Sequence, residues 1–67
     1  MDVAKLRGII AERGFSQRGV AKMLGISEKT FYAKMKNGTF GTDEAECMIR
    51  LLRIDDPVGV FFTTPVA

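Results

Sequence analysis

The chain has no histidine, a single cysteine and only two prolines in 67 residues. Without histidine there is no Cys/His zinc set and no Ser–His or Cys–His nucleophile pair. An enzyme is therefore not expected, and no catalytic residue, metal ligand or cofactor is assigned. One cysteine cannot form an internal disulfide, so a reducing interior is the expected home. Cys47 itself is expected to be a small buried apolar residue, since no partner ligand accompanies it. The longest uncharged stretch, Pro57 to Ala67, has eleven residues and contains both prolines. It is too short to span a bilayer, so no membrane partner is expected. Asp2 without a following apolar h-region argues against a secretory signal. There is no solenoid-length repeat and no low-complexity tract.

What is present is an ordinary globular balance, 46% hydrophobic and 27% charged. A chain this short holds one compact core, so a single domain is expected over residues 1–62, with 63–67 as a C-terminal tail. The net charge of +2 conceals an uneven distribution. Residues 1–12 are neutral. Residues 13–38 carry Arg13, Arg18, Lys22, Lys29, Lys34 and Lys36 against Glu28 alone, a net +5. Residues 39–67 carry Arg50 and Arg53 against Asp43, Glu44, Glu46, Asp55 and Asp56, a net −3. A basic middle between neutral and acidic ends suits a polyanion on one face; the plainer reading is a solvated surface with chance clustering.

Helix punctuation is dense. Asp2 can cap a first helix whose apolar stripe is Val3, Leu6, Ile9 and Ile10, with Gly14 ending it. Ser16 can cap a second, with Phe15 before it facing Val20 as a hydrophobic staple, and Gly25 stopping it. The device repeats at Ile26, Ser27 and Phe31, and the third helix should run to about Lys36 before Asn37-Gly38. Thr42 is expected to cap a fourth helix with Asp43, Glu44 and Glu46 in its first turn, Arg50 and Arg53 at its far end, and Ala45, Met48, Ile49 and Leu52 buried. Asp56-Pro57 reads as the cap and first residue of a short last helical turn, while Val58, Val60 and Phe62 also alternate as a strand would.

Two short stapled helices joined by Gly25-Ile26-Ser27 form a helix–turn–helix. Ala21 is small where the second of them must pass close. The rod so presented, about 10–12 Å across, matches a major groove about 12 Å wide. The stretch Ser16-Gln17-Arg18-Gly19-Val20-Ala21-Lys22-Met23-Leu24-Gly25-Ile26-Ser27-Glu28-Lys29-Thr30-Phe31 resembles the helix–turn–helix of the phage repressor and Cro family, the lambda-repressor-like DNA-binding domains. The opening Ser-Gln, the Val-Ala pair, the Leu-Gly-Ile-Ser turn and the closing Asn-Gly carry the likeness. The Phe-Phe ending resembles that of short phage and prophage regulators. The chain departs from the family in having Arg18 where an acidic residue is usual, Gly19 mid-helix, and a third helix about one residue longer.

The resemblance implies an all-α, four- or five-helix domain that binds double-stranded DNA in a bacterial cytoplasm and regulates transcription by occupancy. It implies base contacts from Glu28, Lys29 and Thr30, with Tyr32 and Ala33 next. Lys can bond guanine O6/N7, Glu can accept from cytosine N4, and Ala33 can touch a thymine methyl. It implies backbone contacts from Gln17 at the helix start, from the amides and hydroxyl of Asn37, Gly38 and Thr39, and from Arg18, Lys22 and Lys36. Plainer readings stand beside these. Lys29 and Lys36 could be solubilising surface, Glu28 a dipole partner, and Tyr32 a ring lying on its own helix. Phe31 and Met35 are expected in the core. No sensor domain fits the remaining length, so control is expected from concentration, a partner protein or proteolysis.

The main rival is an antirepressor or modulator of the same fold, binding a repressor protein through the acidic fourth helix and apolar tail. A nuclease is disfavoured, because Asp43, Glu44 and Glu46 are explained by the helix dipole. Phe61 and Phe62 project about 100° apart on a helix. One should close the core against Val3, Leu6 or Leu52, and the other should lie at the surface beside Val58 and Val66. Val58, Phe61 and Phe62 are thus the candidate homodimer contact; a monomer with a self-covering tail is the alternative.

Overall fold

The computed structural model describes residues 1–62; the tail 63–67, and Val66 with it, lies outside the described residues. The described chain folds as five helices, α1 (Val3–Glu12), α2 (Gln17–Leu24), α3 (Glu28–Asn37), α4 (Thr42–Leu52) and α5 (Pro57–Phe61). The fold is all-α.

Side-chain oxygens open four of them. Asp2 Oδ1 accepts the Lys5 amide at 3.0 Å, Ser16 Oγ that of Gly19 at 2.9 Å, Ser27 Oγ that of Thr30 at 3.1 Å, and Asp56 Oδ1 that of Gly59 at 3.1 Å. The fourth helix differs from expectation. Its N-cap is Gly41, and Thr42 is already its first helical residue. The Glu44 carboxylate reaches back to accept the Gly41 amide at 2.8 Å, so the cap is held by the third residue of the helix. The first turn holds only Asp43 and Glu44. Glu46 lies one step further on and pairs with Arg50 at 3.5 Å.

The first four helices close in one way. An amide donates five residues back, from Phe15 to Ile10, Ile26 to Ala21, Thr39 to Lys34 and Ile54 to Ile49. This closure needs the preceding residue in the left-handed region. Gly14, Gly25 and Gly38 supply it without steric cost, but at the end of α4 it is Arg53, with φ of 51°. Arg13, from the end of α1, supports that strained end. Its Nε donates to the Leu52 carbonyl at 2.9 Å and its guanidinium to that of Arg53 at 3.1 Å.

The core is Leu6, Ile10, Val20, Ala21, Phe31, Met35, Met48, Leu52, Ile54 and Val60, with no buried polar or charged residue among those described. Phe15 and Ile26 are half-buried against it, each both closing one helix and stapling the next. Leu24 and Ile49 are half-buried. Cys47 is also half-buried, not buried as expected. It lies about 100° round the helix from Met48, outside the buried stripe of Ala45, Met48 and Leu52, beside Asp43, Glu46, Arg50 and Leu51.

The ambiguous last segment is helical. Val60, not either phenylalanine, is the fully buried residue, and its carbonyl accepts the Asp2 amide at 2.7 Å, tying the two ends of the domain together. Phe61 is half-buried against the core and Phe62 is 69% exposed, the division expected of adjacent helical residues.

Candidate nucleic-acid interface

The helix–turn–helix is α2, the Gly25-Ile26-Ser27 turn and α3; the two helices pack on each other, and Ala21 of α2 is buried. Burial of Phe31 and Met35 fixes the rotation of α3. At about 100° per residue, Lys29, Ala33 and Lys36 then fall on the side opposite the core, and all three are exposed. Glu28 and Tyr32 flank that stripe on one side, Thr30 and Asn37 on the other.

The five candidate base contacts therefore divide into two groups. Lys29 and Ala33 have no side-chain partner among the described residues. The other three are engaged along the helix. The Ser27 hydroxyl donates to Thr30 Oγ1 at 2.8 Å, and the Tyr32 hydroxyl donates to Glu28 Oε1 at 3.0 Å. That bond to Glu28, with some desolvation and the carboxylate charge, holds the Tyr32 phenol above its ordinary range.

The candidate backbone contacts divide in the same way. Gln17 and Arg18 precede the first bond of α2, from the Val20 amide to the Ser16 carbonyl, so their amides have no carbonyl partner within the helix. Lys22 and Lys36 are exposed and make no ion pair among the described residues. The amides of Gly38 and Thr39 are not available as expected, because both donate to the Lys34 carbonyl in closing α3. At that corner the exposed side chains of Asn37 and Thr39 are what remain to meet a phosphate.

The +5 segment is thus less uniform than its charge count. Arg13 closes α4, and Lys34 Nζ sits 2.7 Å from Glu44. Lys22, Lys29 and Lys36 are the unpaired cations left on the α2–α3 surface, where Arg18 also stands exposed with its Nε 4.0 Å from Glu28 Oε2. Lys34 carried no signal in the sequence beyond its charge; only the fold brings Glu44 to it, ten residues on. Among the described residues no group of His, Cys, Asp and Glu is arranged to hold a metal ion, and no helix is long and apolar enough to cross a membrane.

A family model, the antitoxin Xre-like helix-turn-helix domain, matches residues 3–53, which takes in α1 through α4 and the whole helix–turn–helix. The chain belongs to this family. The Xre-like domain is a helix–turn–helix DNA-binding domain, a class that is typically non-enzymatic, and the matched range contains the turn and caps that position α3. A phage repressor in particular is a narrower assignment than the Xre-like match carries. No curated protein and no solved structure gives a significant match to the Xre-like chain.

Proposed function

We propose that this protein is a small transcriptional regulator of the repressor and Cro type that binds double-stranded DNA sequence-specifically, with α3 in the major groove. The observation that carries this is the outward stripe of α3, where Lys29, Ala33 and Lys36 stand exposed and unpaired on a helix whose rotation is fixed by buried Phe31 and Met35. Lys29, Ala33, Glu28 and Thr30 are the base-edge set. Gln17, Arg18, Lys22, Lys36, Asn37 and Thr39 ride on phosphates and set the register. Residues 1–62 are the DNA-binding unit, acting in a bacterial cytoplasm by occupying its site. The family description also names antitoxins, and an antitoxin-type regulator would use the same face. The test is titration into duplex fragments of its own promoter region at two salt concentrations. Tight, salt-dependent binding to one fragment over random duplex is expected; equal, weak binding to all would leave only a charged surface.

A protein partner is the second reading, as a homodimer or as a modulator of a repressor. It is favoured by Val58 on α5 and Phe62 just after it, which are 64% and 69% exposed, and by Phe61 between them, lining a groove with Phe40 and Ile49. Loss of these contacts should change oligomeric state or repressor binding without altering the α3 face.

A further inference from the structure

Glu28 is the sole carboxylate in the basic segment, and it stands at the exposed start of α3. Its two oxygens have different surroundings. Oε1 accepts the Tyr32 hydroxyl at 3.0 Å from one turn further along the helix, while Oε2 faces Arg18 Nε at 4.0 Å from the start of α2. Tyr32 is in turn steadied by an edge-on contact with the buried Phe31 ring, centroids 6.4 Å apart. A glutamate side chain has three rotatable bonds, and on an open helix surface it samples many rotamers. Here the phenol holds one oxygen toward the helix, while the other points across the turn at Arg18 and keeps acceptor capacity on an exposed side chain.

On the DNA reading proposed above, we infer that Tyr32 is a positioning residue that holds Glu28 as a reader of cytosine. A fixed carboxylate has only acceptors to offer. In the major groove, guanine N7 and O6 and thymine O4 are acceptors too and are repelled by it. Adenine presents an amino donor, but its N7 acceptor lies beside it and faces the same negative charge. Cytosine presents its N4 amino group alone, so it is the base such a carboxylate selects. Arg18 keeps the acid from being repelled by the DNA backbone as it approaches, its charge partly offsetting that of Glu28. Tyr32 thereby sets specificity without touching a base.

The experiment selects the preferred duplex of the wild type from a random pool, then measures Kd for every single base-pair change, for wild type, Glu28→Gln and Tyr32→Phe. Tyr32 is exposed, so Tyr32→Phe should keep its fold, checked by circular dichroism. Wild type should prefer cytosine at one position by roughly 5- to 150-fold. Glu28→Gln should abolish that preference or turn it toward adenine. Tyr32→Phe should shrink it about fivefold at that same position, with the salt slope and random-duplex Kd unchanged. The inference is overturned if Tyr32→Phe weakens every duplex alike, if it changes a base pair other than the one Glu28→Gln changes, or if Glu28→Gln leaves the profile intact. A wild type that binds duplex with a salt slope but reads no base overturns this inference and leaves DNA binding standing. One that binds no duplex overturns both.

Discussion

Lys34 Nζ lies 2.7 Å from both carboxylate oxygens of Glu44, and Oε1 of the same group accepts the Gly41 amide. One acid thus ties the far half of α3 to the first turn of α4 across the loop that carries Thr39. The hydrogen bond from Lys34, aided by the Gly41 amide and the ammonium charge and opposed by partial burial, holds the Glu44 carboxyl below its ordinary value of 4.5. A carboxyl depressed on folding contributes stability that is fully present above its unfolded pKa and lost as pH falls through the folded one. Wild type should therefore lose thermal stability below about pH 4.5 more steeply than Glu44→Gln. Lys34→Met should cost about 1–2 kcal/mol at neutral pH, read as a fall in Tm of about 4–8 °C per kcal/mol. Parallel pH profiles for wild type and Glu44→Gln would show that the pair contributes nothing.

Lys22 and Lys36 bear on affinity without sequence. Replacing both with alanine should weaken every duplex about equally and reduce the slope of log K against log salt by about 0.9 per lost contact. An unchanged slope would place the basic surface away from DNA.

Lys29 bears on specificity. Lys29→Ala should cost about 1–3 kcal/mol on the preferred site and relax discrimination at one base pair, with little loss on random duplex. Equal losses on both would reassign Lys29 to the phosphate backbone.

Tyr32 is the chain's one tyrosine and there is no tryptophan, so alkaline difference absorbance reads its ionisation directly. The hydrogen bond to Glu28 raises its pKa above the ordinary 10.0. Glu28→Gln should bring it back toward that value. The sign for stability follows from the raised pKa: the contribution is complete below the unfolded pKa and lost as pH climbs through the folded one. Identical titrations in both proteins would mean the bond does not form in solution.

The last helix separates two roles. Val60→Ala removes a fully buried side chain and should destabilise by about 1.5–3 kcal/mol, and a chain ending at Pro57 should unfold, since it also loses the bond from Asp2. Phe62→Ser leaves the core intact and tests only the exposed surface. If sedimentation shows a wild-type dimer that becomes a folded monomer in Phe62→Ser, the interface is there. A wild type that stays monomeric at high concentration, on and off DNA, rejects it.

The elements of this protein are legible in its sequence because each is written locally. Asp2, Ser16, Ser27 and Asp56 cap the helices that follow them, and Gly14, Gly25 and Gly38 end those that precede them, through bonds spanning only a few residues. The face of α3 that meets solvent is legible for the same reason, since Phe31 and Met35 set its rotation. Tertiary structure decided the rest. The choice of helix over strand for 57–61, and of Val60 as the core residue there, depends on α1 packing against it. Arg13 reaches the carbonyls of Leu52 and Arg53 across 39 and 40 residues and supports Arg53 in a backbone region that its own residue type disfavours. Within the basic segment, charge is a property of residue type, but availability is a property of neighbours. Arg13 and Lys34 count toward +5 in the sequence, yet their partners lie in α4 and the turn after it, so only the fold separates them from the cations left on the α2–α3 surface.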